Sequence, residues 1–152
     1  MPDHKAQLQT IKIIHLGLMA GPAFLGLVAA FLVLDGSDTR EPIEVLDYLS
    51  PGYFLFAVGI YPILFKSAIK PAKVEGIDLG KKIATYQTGH IIRLALLEGA
   101  ALFAGVVVVV NGQLLHLITL GLVLAIMFSK LPSPYLLESE LGLSPEEKEK
   151  LA

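Results

Sequence analysis

The chain has no cysteine and no tryptophan among its 152 residues, and only 17% of it is charged. Without cysteine there are no disulfide staples, no thiolate nucleophile and no cysteine-ligated metal. The shortage of charge excludes more. With 54% hydrophobic residues the chain is too apolar for an ordinary soluble domain of this length. A net charge of −2 leaves no basic footprint for nucleic acid. A Gly-rich phosphate loop, a nucleophile–base pair and metal-ligand spacing are also missing. The sequence therefore points away from an enzyme and away from a metal site. The amino-terminal stretch MPDHKAQLQTIK is not read as a signal peptide. The apolar run behind it is too long for an h-region and ends without an A-x-A-like cleavage site.

What is present is a set of long apolar runs at about 11–34, 51–70, 84–110 and 113–130. A helix needs about 20 such residues to cross a hydrocarbon core of ~30 Å. Pro22 and Pro62 fall inside two of these runs and predict kinks there. The connection DGSDTREPIEVLDYLS begins with turn chemistry at Asp35-Gly36 and Ser37-Asp38. Its acids Asp35, Asp38, Glu41, Glu44 and Asp47 face one base, Arg40, and read as a solvated acidic loop. Ile43, Leu46 and Leu49 would put a short helix at the membrane surface. Ser50-Pro51 reads as an N-cap followed by a first-turn proline, opening the second span. Asn111-Gly112 reads as a tight turn between the third and fourth. In the tail, Ser133-Pro134 opens a helix that Gly142 closes, and Ser144-Pro145-Glu146-Glu147 is a capping box for another. This tail is expected to be a solvated cap.

Lysine and arginine are unevenly placed. Lys5, Lys12, Lys66, Lys70, Lys73, Lys81, Lys82, Lys130, Lys148 and Lys150 fall on one side of the expected membrane and Arg40 on the other. By the positive-inside rule both termini are cytoplasmic. The expected fold is thus an all-α, up-down-up-down four-helix transmembrane bundle over 1–131, with a short helical cytoplasmic tail over 132–152.

The third run is the unusual one, because it carries His90, Arg93 and Glu98 at membrane depth. An ionisable group there costs several kcal/mol unless paired or hydrated, which makes each a functional candidate. At ~1.5 Å per residue, Glu98 lies about 7 Å deeper than Arg93 and roughly 140° around the helix. The two are therefore expected to find separate partners. His15 and Lys66 enter from the first two spans at the depth of His90. The sequence predicts a polar cluster of His15, Lys66, Tyr86, His90 and Arg93, with Glu98 deepest. Small residues mark close helix contacts: Gly17 and Gly21, Gly99 and Gly105, and the repeat containing Gly121 and Ala125.

Three functions fit this pattern. The first is a non-enzymatic accessory or structural subunit, associating with itself or with other membrane subunits in the lipid bilayer, and holding no cofactor. The second is proton or ion handling through Glu98 with Arg93. The third is haem b ligation by His15 and His90, which would make the chain an electron carrier.

The run RLALLEGAALFAGVVVVV, Arg93 to Val110, resembles the carboxylate helix of rotary ATP synthase proteolipid (c) subunits. That resemblance implies that Glu98 corresponds to the proton-binding carboxylate. It departs from the family in lacking the Gly-repeat helix and in having another span after the carboxylate, so it reads as convergence on a carboxyl among small residues. Over nearly the whole chain, IIHLGLMAGPAF, YQTGHIIRLALLEGAALF, LPSP and LGLSPEEKEKL are similar to small four-span bacterial membrane proteins of uncharacterised function. This resemblance implies a multi-pass protein of a bacterial inner membrane and assigns no activity.

Overall fold

The structure is a computed structural model that describes residues 4–35, 41–74 and 76–151. The expected Ser37-Asp38 turn and Arg40 lie outside the described residues. The described chain is helical, with no strand. Four helices build the body: α1 (His4–Leu34), α2 (Glu44–Ile69), α3 (Leu79–Asn111) and α4 (Leu115–Ser129). Two short ones follow in the tail, α5 (Pro134–Leu141) and α6 (Pro145–Glu149). A 3-10 turn at Lys70–Lys73 continues α2.

Three helices, α1, α2 and α3, are long and apolar enough to cross a membrane. The fourth apolar run, expected over 113–130, is helical only over Leu115–Ser129. Fifteen residues rise roughly 22 Å, short of a ~30 Å core. Pro132 and Pro134 cannot continue the helix, and the chain turns by 86° from α4 into α5. Only if this bent pair counts as one span are there four.

Helix α3 is central: α1, α2 and α4 all pack against it. Its small residues explain why. A Cβ at Gly89 would stand 2.9 Å from Ile69 Cγ2, and one at Gly105 would stand 2.8 Å from Leu25 Cδ2. Gly99 makes room for Tyr53, whose hydroxyl would be 2.9 Å from a Cβ there. Gly26 on α1, which the sequence reading did not single out, admits Leu120 in the same way. Outward-facing Ile13, Phe24, Phe31, Leu55, Ile63 and Ile118 leave an apolar exterior. For a protein whose helices suit a bilayer, that surface is lipid-facing.

Two boundaries differ from expectation. No new helix begins at Ser50-Pro51. The surface helix expected at 41–49 and the second span are one unbroken helix from Glu44, with Pro51 and Pro62 inside it. Local capping preference was outweighed by tertiary bonds that hold the first turns of α2 against the end of α3. Similarly, Asn111 is the last residue of α3 rather than a turn residue. Gly112 takes the left-handed conformation (φ 65°), and its N–H closes onto the Val108 carbonyl at 2.9 Å. Pro22 lies inside α1, within the run where the sequence places it.

The tail is not a solvated cap. Leu137, Leu141, Leu143 and Leu151 are buried in one cluster with Leu8, Ile11, Ile69 and Ile83. Ser133 caps α5 by accepting from Leu136 N, and the Ser144–Glu147 capping box forms as expected. Lys82 of α3 then donates to Glu147 at 2.7 Å, tying α6 to the bundle. This bond holds the Glu147 carboxyl below its ordinary range.

Candidate functional site

Tyr86, His90, Arg93, Leu97, Ala100 and Ala104 recur at helical spacing along α3, and all are buried. The polar members of that face meet His15 of α1. His15 Nδ1 and His90 Nε2 are 2.9 Å apart, and Arg93 Nη2 is 2.6 Å from His90 Nδ1. Arg93 Nη2 also donates to the Tyr86 hydroxyl at 3.4 Å, and the guanidinium lies 4.2 Å over the Phe65 ring. The tail completes the set: Arg93 Nη1 donates to Glu140 Oε1 at 2.8 Å.

The hydrogens follow from chemistry. A guanidinium only donates, so His90 accepts at Nδ1. Its proton is then on Nε2 and is donated to His15 Nδ1. His15 in turn carries its proton on Nε2, which has no well-formed hydrogen bond, although the Met127 carbonyl of α4 acts on the ring. The result is a directed chain from Glu140 through Arg93 and His90 to His15, linking the tail to the bundle interior. Tyr86 stacks on His90 at 5.5 Å and 19°, and His15 stacks on it at 5.1 Å and 26°.

This geometry does not fit a haem. Two axial imidazoles must stand on opposite sides of an iron with the macrocycle between them. Here the rings are stacked and directly hydrogen bonded, and the other His90 nitrogen is taken by Arg93. Among the described residues no group of three or more His, Cys, Asp or Glu is arranged to hold a metal ion.

The remaining two members of the expected cluster lie apart. Lys66 is exposed and does not bond to the histidines. It lines a cavity beside Arg93 instead. Glu98 is half-buried next to Gly21, whose Cβ would stand 3.8 Å from its Oε1. It makes no hydrogen bond or ion pair among the described residues. As expected from their angular separation, Arg93 and Glu98 do not pair. Gly17, Gly21, Gly121 and Ala125 are exposed, so this chain does not use them for its own tight contacts.

The opposite end of the bundle holds a second polar cluster that the sequence reading missed. Asp47 Oδ1 accepts from Asn111 Nδ2 at 2.8 Å and lies 3.0 Å from His116 Nε2. Asn111 further brackets the start of α2, accepting from Ile43 N at 3.1 Å and donating to Ile43 O at 3.2 Å. Gln113 reaches Asp47 Oδ2 at 3.5 Å. The local signal was a polar Asn and a His flanking a helix end, with Asp47 the last of five acids in the connection between the first two runs. Glu140 was also missed. It shares a helical face with Leu137 and Leu141, and an acid among buried leucines asks for a cation.

No family model, curated protein or solved structure matches this chain.

Proposed function

We propose that this chain is a non-enzymatic multi-pass membrane subunit that joins a second copy or another membrane subunit through the α1 face bearing Gly17 and Gly21, beside Glu98. The observation that carries this reading is Glu98 itself: a half-buried carboxyl midway along an apolar helix with no bond among the described residues. A group so placed costs several kcal/mol in lipid, and a polar contact from another chain lowers that cost. Exposed glycines one turn apart on the neighbouring helix allow a second backbone to approach closely. The lysine distribution supports cytoplasmic termini. Labelling of a Ser37→Cys variant from the periplasmic side alone is expected; labelling from the cytoplasm reverses the orientation.

The same features fit a second reading, in which Glu98 exchanges protons, since no partner among the described residues holds its charge. The two separate experimentally. Glu98→Gln keeps volume and hydrogen bonding, so it is expected to assemble normally and leave proton flux in reconstituted vesicles unchanged, while Gly21→Leu disrupts co-purification of the assembly. A loss of flux with intact assembly in Glu98→Gln would favour proton handling. Normal assembly of Gly21→Leu would remove the proposed face.

A further inference from the structure

Beside the Arg93–Glu140 pair lies a cavity of about 260 Å3, between the end of α2, the end of α4 and α5. Its charge is one-sided. Among the described residues, Lys66, Lys73, Lys130 and Arg93 line it against a single acid, Glu140, which Arg93 already engages. Two lysines near the tail are matched: Lys82 pairs with Glu147 and Lys148 with Glu138. Lys66, Lys73 and Lys130 have no such partner among the described residues. The pocket is also imperfectly satisfied inside. Arg93 Nε and Glu140 Oε2 are buried without a hydrogen-bond partner. Its other wall is apolar, formed by Tyr61, Pro62 and Phe65 on the membrane side of Lys66.

We propose that this cavity binds an amphiphile whose phosphate headgroup carries net negative charge, with the phosphate held by Lys66, Lys73 and Lys130 and its chain lying along Tyr61, Pro62 and Phe65. Three ammonium groups around one opening repel one another until an anion enters. Lysine binds phosphate as a mobile point charge and does not need the planar fork of arginine. A basic pocket between helices at a membrane surface suits an anionic lipid headgroup. The apolar wall beside it gives the attached chain a place that a free anion would leave empty. This inference does not depend on the assembly face, which lies on α1 and α3.

Native mass spectrometry of the delipidated full-length protein in neutral detergent tests it, with phosphatidylglycerol, phosphatidylcholine and inorganic phosphate as separate probes. The expected result is one retained phosphatidylglycerol, bound at least tenfold more tightly than phosphatidylcholine. Retention should fall at least tenfold in Lys66→Gln/Lys73→Gln/Lys130→Gln. Lys66 and Lys73 are exposed, so the double variant Lys66→Gln/Lys73→Gln folds normally and shows a partial loss even if the Lys130 change disturbs the end of α4. A control that removes the same charge outside the pocket, Lys70→Gln/Lys81→Gln/Lys150→Gln, should behave as the parent protein. Equal losses in the pocket and control triples would reduce the effect to general attraction and overturn the site. Retention of phosphatidylcholine as tightly as phosphatidylglycerol would do the same. Inorganic phosphate binding as tightly as the lipid would overturn the role of the apolar wall.

Discussion

Replacing Glu140 with alanine tests the buried latch between tail and bundle most directly. Arg93 is 1% exposed, so its guanidinium has lost nearly all its water, and Glu140 supplies its carboxylate partner at 2.8 Å. Removing one partner of a fully buried ion pair costs about 3–5 kcal/mol, because the other charge stays desolvated. Two features reduce that figure here. The Glu140 side chain is 17% exposed, and the adjoining cavity lets water approach the pair. The Arg93 cation also keeps His90, the Tyr86 hydroxyl and the Phe65 ring. The cost should therefore fall to about 2–3 kcal/mol, below the fully buried range.

If the tail can lift, Arg93 regains water, and the cost appears as tail release. About 2–3 kcal/mol is roughly a 30- to 150-fold rise in the open population. Limited proteolysis of the detergent-solubilised protein reads that population as the cleavage rate in the Lys130–Ser133 connection, provided reclosing is faster than cutting. Glu140→Gln, which still offers an acceptor, should fall between Glu140→Ala and the parent. A double-mutant cycle with Arg93→Met separates the pair from general tail destabilisation, since an apolar pair in its place is often tolerated. An unchanged cleavage rate in Glu140→Ala, or a coupling energy near zero, would show that the leucines alone hold the tail and would refute the latch.

Acidification should loosen the tail through Glu147. Its folded pKa is lowered chiefly by the hydrogen bond from Lys82. The stabilisation is therefore complete above the unfolded value of ~4.3 and is lost as pH falls through the lowered folded value. Tail proteolysis should rise below about pH 4, and Lys82→Met should flatten that dependence. Asn111→Ala removes the bracket on Ile43 and the bond to Asp47 from a side chain that is 3% exposed. A loss of about 1–2 kcal/mol is expected, seen as faster hydrogen exchange at amides 44–50; unchanged exchange would show that α2 holds its first turns unaided. Gly89→Ala meets Ile69 Cγ2 at 2.9 Å and Ala68 Cβ at 3.3 Å, neither of which can easily move away. Overpacking of this kind costs about 1–3 kcal/mol, whereas Gly121→Ala meets nothing within 4 Å and should leave the unfolding midpoint of the monomer unchanged or raised.

The sequence by itself determined the class of fold, because apolar runs of membrane length leave helices as the only open-chain solution in lipid. It also determined which face of α3 is special. Tyr86, His90 and Arg93 are spaced at whole helical turns, so local geometry alone puts them on one stripe, and His15 could be matched to them by depth. Caps that depend on a few neighbouring residues, Ser133 for α5 and the Ser144–Glu147 box for α6, were legible for the same reason.

Tertiary structure decided what those residues meet. Glu140 lies 47 residues from Arg93 in sequence, and Asp47 lies 64 and 69 residues from Asn111 and His116. No local period encodes pairs of that separation. The Ser50-Pro51 signal was locally sound, yet bonds from Asn111 hold the chain helical from Glu44, because a few long-range hydrogen bonds outweigh about 1 kcal/mol of capping preference. The tail read as solvated because its helices are too short for their pattern to reveal a buried side. Only the groove offered by Leu8, Ile11, Ile69 and Ile83 shows where its leucines go. Glu98 marks the boundary between the two: the sequence placed a carboxyl at mid-span, and the fold left it beside Gly21 without a partner among the described residues.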